Sequence, residues 1–175
     1  MPKRILMRAT LATFLLALVL APGAGAYHLE GGRWPTSTIR YYNEVPAYSW
    51  AVDTAAYAWN SSGAHVQFVK SSRRNADVLL GIRWFKIAGE ARVQRVSGRL
   101  VGAKVGIRSG QDRYVMTLVT AHELGHVLGL EHNDDPATLM CGRPAPCRPD
   151  AFASRSDRFF PLTDAEEREL RSHWR

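Results

Sequence analysis

The chain has little that would tie it to a membrane or to nucleic acid. Beyond residue 26 no apolar run approaches the roughly 18 residues that a membrane-spanning helix needs. Only four of the 23 basic residues are lysine, and the arginines that supply the rest are scattered along the sequence. A net charge of +7 therefore favours solubility and loose attraction to anionic surfaces. It gives no clustered patch of the kind that nucleic-acid binding wants. Internal repeats and low-complexity stretches are absent, and 175 residues suit one domain. Cysteine is scarce: only Cys141 and Cys147 are present.

The first 26 residues have the pattern of an export signal. Lys3, Arg4 and Arg8 give a positive start, Leu11 to Leu20 form an apolar core, and Ala24-Gly25-Ala26 matches a small-x-small cleavage site. The apolar core is too short for a membrane span. The mature chain is thus expected to begin at Tyr27, with residues 27–175 as a single domain and a secreted, extracellular location. Losing the signal removes three of the 23 basic residues and no acidic one, so net charge falls from +7 to +4. In an oxidising compartment Cys141 and Cys147 are expected to form a disulfide, with free thiols or a metal pair as the alternatives.

Downstream the hydrophobic period changes several times. Thr38 to Tyr42 is β-branched and aromatic and predicts a first strand. Val52, Ala55, Ala56 and Trp59 at i, i+3, i+4 and i+7 predict an amphipathic helix over 47–60, with Gly63 just beyond it. His65 to Val69 and Asp77 to Ile82 predict two strands. Ala91 to Val96 and Leu100 to Ile107 predict a hairpin turning at Ser97-Gly98, with Gly102 and Gly106 marking bulges or close backbone approach. Asn60-Ser61-Ser62 is formally a glycosylation acceptor. From Asp112 or Arg113 the period becomes 3.6, placing Val115, Leu118, Val119, His122 and His126 on one stripe. A proline-rich irregular region follows Met140, and Thr163-Asp164-Ala165-Glu166 is a capping box that starts a terminal helix ending near Trp174.

Residues 122 to 132 carry the chemistry. His122 and His126 stand four apart, about 40° apart around a helix, so both rings reach one metal ion. Glu123 flanks that ion, as suits a base acting on water. On a continued helix His132 would point about 240° away from His126. The chain must therefore leave the helix between them, and Gly129 stands where a left-handed residue would end it. Three imidazoles leave a tetrahedral Zn²⁺ one open position, the arrangement of a catalytic site.

The pattern H-E-x-x-H-x-x-G-x-x-H, filled here by His122, Glu123, His126, Gly129 and His132, resembles the signature of metzincin zinc endopeptidases. Ala137-Thr138-Leu139-Met140 fits the family's methionine turn. The layout is most similar to the matrixin-like branch. Outside the zinc stretch the likeness rests on element order, from Thr36 to Arg175. It implies an α+β metzincin-like fold: a twisted mixed N-terminal sheet with two helices, one of them the zinc helix, then a small irregular C-terminal part with one helix. It also implies one catalytic Zn²⁺ on His122, His126 and His132, Glu123 as general base, and Met140 as an apolar floor beneath the imidazoles.

The function expected is that of a secreted, monomeric zinc-dependent endopeptidase acting on extended peptide segments. The alternative is a secreted zinc-containing binding protein of the same fold without turnover. Intact Glu123 favours the enzyme. The hairpin Ala91–Ile107 is a candidate edge for pairing with a peptide, its other reading being a plain structural hairpin. Leu118, Val119 and residues 141–160 are expected to line the specificity pocket. Three features depart from the matrixin pattern. No cysteine precedes the domain to block the zinc, Cys141 directly follows the methionine, and no histidine-rich loop suggests a second zinc. No Asp-rich loop argues for calcium, which is left open.

Overall fold

The computed structural model describes residue 29 and residues 31–83, 86–133 and 138–142. The export signal, Cys147 and the terminal helix expected from Thr163 lie outside the described residues.

A five-stranded sheet carries the structure, built from β1 (Thr38–Asn43), β2 (Gln67–Lys70), β3 (Val78–Arg83), β4 (Gly89–Val96) and β5 (Arg99–Arg108). Their order is β2-β1-β3-β5-β4. β1 pairs parallel with β2 and β3, and β3 parallel with β5, while β4 runs antiparallel to β5 along one edge. Alternation puts Ile39, Tyr41, Phe68, Val78, Leu80, Ala103, Val105 and Ile107 on one buried face. Arg40, Arg92 and Lys104 occupy the opposite face and are exposed. Two helices, α1 (Ser49–Asn60) and α2 (Arg113–Val127), cover the apolar face. The result is the expected mixed sheet with two helices.

The β4–β5 hairpin turns at Ser97 and Gly98, both at positive φ (48° and 74°), as a tight two-residue turn requires. Register slips once: Gln94 faces Gly102 but Arg95 faces Leu100. Val101 is thus the extra residue of a bulge and is exposed, while Leu100 beside it turns fully inward. Gly102 leaves room for the Gln94 side chain, which would stand 3.1 Å from any Cβ there.

In α1 the four stripe residues Val52, Ala55, Ala56 and Trp59 are all buried. The alanines let α2 come close, and Trp59 Nε1 donates to the Ala121 carbonyl at 2.9 Å. Asn60 ends α1 with its amide fully engaged. Nδ2 donates to the Phe68 carbonyl at 3.0 Å and Oδ1 accepts from the Phe68 N–H at 2.7 Å. That two-bond clamp ties the end of α1 to β2.

Asp112 caps α2, its Oδ1 accepting the Val115 N–H at 2.9 Å. The core face of this helix differs from the expected stripe. Met116, Thr117, Thr120, Ala121, Leu124 and Val127 are buried, whereas Val115, Leu118 and Val119 are only partly so. The helix is wedged between α1 and the β4–β5 hairpin. Small residues face its close neighbours, so hydrophobicity alone misplaces the stripe. Thr117 and Thr120 enter the core with their hydroxyls returned to the carbonyls four residues back, which leaves no polar atom unpaired.

Candidate metal centre

The last turns of α2 hold His122, Glu123 and His126, and the helix stops where the third histidine requires. Gly129 has φ +94°. Its N–H donates to the His126 carbonyl at 2.9 Å, and the Leu130 N–H donates to the Gly125 carbonyl at 3.1 Å. These are the paired bonds of a Schellman ending, with glycine at its left-handed position. The turn reverses the chain and brings the His132 ring back over the helix.

The methionine turn then closes the site from below. The Cys141 N–H donates to the Thr138 carbonyl at 3.3 Å, and Asn133 N–H and Gly142 N–H bond to the carbonyls of Met140 and Asn133 at 2.9 and 3.0 Å. Thr138 Oγ1 donates to Asn133 Oδ1 at 2.8 Å. Met140 is fully buried, its Sδ packed against Gly125 so closely that any Cβ on that glycine would collide with it. Gly142 lies equally close against the His132 ring. Cys141 is buried beside them.

Backbone carbonyls set the direction of two imidazoles. His122 Nδ1 faces the Leu139 carbonyl at 2.6 Å and His126 Nδ1 faces the Leu130 carbonyl at 2.7 Å. A nitrogen facing a carbonyl must carry the proton, so the Nε2 atoms present lone pairs. Those lone pairs converge: His132 Nε2 is 3.1 Å from Nε2 of both His122 and His126. Nitrogens sharing one tetrahedral Zn²⁺ at ~2.0–2.1 Å stand about 3.4 Å apart, so the donor set fits that ion. Two of its rings also carry the backbone acceptors that metal-bound imidazoles usually have. Burial, and then the neighbouring His126, pull the His122 pKa down to about 4, which keeps its ring neutral and ready to ligate. Among the described residues no other cluster of histidine, cysteine or carboxylate groups could hold a metal.

Glu123 is 6% exposed and looks onto a cleft of about 530 Å³, bounded by β4 on one side and by His126, Glu131 and His132 on the other. Burial, then the charge of Glu90, push its pKa up to about 7, against the opposing pull of a hydrogen bond from the Ala91 N–H. Gly89 lets β4 approach this carboxylate. A Cβ there would stand 2.7 Å from Glu123 Oε1 and from Val119 Cγ1. Leu118 and Val119 are not among the residues lining this cleft, and residues 143–160, the rest of the expected specificity pocket, lie outside the described residues. Glu90, Arg95 and Glu131 give its wall a mixed charge.

All three predicted ligands, Glu123, Gly129 and Met140 thus meet in one place. Sequence reasoning missed the Leu130 and Leu139 carbonyls, which every residue type has and no motif marks. It also missed Gly89 and Gly142, whose glycines were visible but gave no sign of what they adjoin. The family model described as matrixin matches residues 47–157, more than half of the chain. None of the curated proteins compared with the chain matches it.

Proposed function

The chain belongs to the matrixin family of zinc metalloproteases, and from that premise we propose that it is an exported endopeptidase that hydrolyses extended peptide segments with Glu123 as general base. The observation that carries this reading is the convergence of the Nε2 atoms of His122, His126 and His132 beside a buried carboxylate. His122, His126 and His132 are the residues that would hold Zn²⁺. When bound there, Zn²⁺ supplies Lewis acidity toward the scissile carbonyl and a water nucleophile active near neutral pH.

Glu123 takes the proton of the attacking water and returns it to the leaving amine. Its burial raises its proton affinity above that of an exposed carboxylate, which favours delivery of the proton to the leaving amine. The Ala91 N–H holds the carboxylate on the β4 side of the cleft. Among the described residues β4 pairs only with β5, so its other edge is where an extended substrate would add a strand. A Cys141–Cys147 bridge would close the five-residue loop after the methionine turn and stiffen the wall beside His132. The protein is taken to act as a monomer.

The test is cleavage of an unfolded protein by the chain from Tyr27 onward. Cleavage is expected to stop with a zinc chelator and return on adding Zn²⁺. Cleavage that persists unchanged after complete metal removal refutes the mechanism.

A further inference from the structure

The segment ahead of β1 touches both walls of the cleft. On the hairpin side, Arg33 accepts the Leu100 N–H at 3.0 Å and donates its own N–H to Gly98 at 3.3 Å. The Gly31 carbonyl accepts Arg95 Nε at 3.2 Å, and Arg95 lines the cleft. Gly32, at φ +93°, lies so near Leu100 that a Cβ would stand 2.9 Å from its Cδ2.

On the ligand side, Leu29 forms an antiparallel bridge with Leu130, and Trp34 Nε1 donates to the Val127 carbonyl at 2.8 Å. Val127 is the last residue of α2 and fully buried. The Schellman bonds satisfy the carbonyls of Gly125 and His126, and the indole supplies the donor for the next one. A buried helix end without such a donor carries the desolvation penalty of an unpaired carbonyl.

Leu130 is the junction. Its N–H is held by Gly125, its carbonyl orients His126 Nδ1 at 2.7 Å, and its strand partner is Leu29. We propose that residues 29 and 31–34 form a strap that fixes the turn between the second and third zinc ligands, with Trp34 as a positioning residue acting on His126 through Val127 and Leu130. The strap rests on the zinc reading above and assigns the tightness of that site to a segment outside the zinc motif. The same strap ties the hairpin, through Arg95 and Leu100, to the ligand turn, so it also sets the spacing of the cleft walls.

Trp34→Phe tests this, because it keeps an aromatic ring in the buried site and removes only the Nε1–H. Phe68→Leu on β2, at the far edge of the sheet, is the control for general loss of stability. Zinc affinity is read by competition with a chromophoric chelator, beside thermal unfolding of each metal-free chain. Trp34→Phe is expected to bind zinc about 10-fold more weakly, the scale of losses from outer residues of metal sites. Phe68→Leu is expected to keep the parent affinity even where its melting temperature falls as far. The strap is overturned if Trp34→Phe holds zinc as tightly as the parent, or weakens only in step with Phe68→Leu. A parent that takes up no zinc overturns both the strap and the zinc reading beneath it.

Discussion

The Met140 sulfur lies where a Cβ on Gly125 would have to be. Gly125 stands between Glu123 and His126 on α2, so the methionine turn reaches the helix in the middle of the metal-binding stretch. Trp59 closes the other side, 3.2 Å from the same point. Gly125→Ala gains helix propensity of about 1 kcal/mol but overpacks this junction by about 1–3 kcal/mol. Urea unfolding of the metal-free protein is expected to show a net loss of stability. The double variant Gly125→Ala/Met140→Ala should be more stable than the sum of the single changes, since its partners share one volume. Strict additivity would refute the contact.

Glu123 is expected to be essential to turnover and costly to the fold. Glu123→Gln should lower turnover by about two to four orders of magnitude while zinc stays bound. Its folded pKa of about 7 stands above the usual 4.5, so the fold disfavours the ionised form. In the metal-free chain that penalty is absent below pH 4.5, grows as pH rises, and is complete above pH 7, where it amounts to about 3 kcal/mol. Metal-free Glu123→Gln should therefore be more stable than the parent at pH 8 and equal to it at pH 4. Equal stability at both pH values would contradict the buried carboxylate.

Glu90 should tune the acid limb of activity. Its negative charge is the second cause of the raised Glu123 pKa, and the base works only when deprotonated. Removing that charge favours the carboxylate and lowers its pKa. Glu90→Gln is thus expected to shift the acid limb of kcat/KM to lower pH, leaving zinc content unchanged. A limb that stays in place or moves upward would show that Glu90 does not act on the base. Glu90 is bound by Arg92 at 3.0 Å, which moderates its effect on Glu123.

Gly89 should be intolerant of any side chain. A methyl group there meets Glu123 Oε1 and Val119 Cγ1 at 2.7 Å, and the carboxylate is the more movable of the two. Gly89→Ala is expected to lower kcat at least 10-fold through a misplaced base, with zinc affinity kept within a factor of two or three. Unimpaired kcat would mean that Glu123 has room to spare.

Much of this architecture was legible because it rests on period and on side chains with one use. Runs of β-branched and aromatic residues, alternating in the last two, mark all five strands, and Ser97-Gly98 marks the hairpin turn. The need to bring His132 back to His126 places a break at Gly129, where φ is positive. The stripe on α2 was not legible. Thr117, Thr120 and Gly125 are buried by close packing against α1 and the methionine turn, which hydrophobicity does not encode. The orienting carbonyls of Leu130 and Leu139 were equally hidden, since their role comes from backbone placement. The strap lay in a glycine-rich stretch whose one strong signal, Trp34, reads as ordinary core until its Nε1–H partner is known.

The most direct measurement pairs zinc content with cleavage of casein for the chain from Tyr27 and for its Glu123→Gln variant. One zinc in each, with cleavage by the parent alone and none after chelation, is the predicted result. A parent without zinc, or a Glu123→Gln variant that cleaves at the parent rate, would contradict the account.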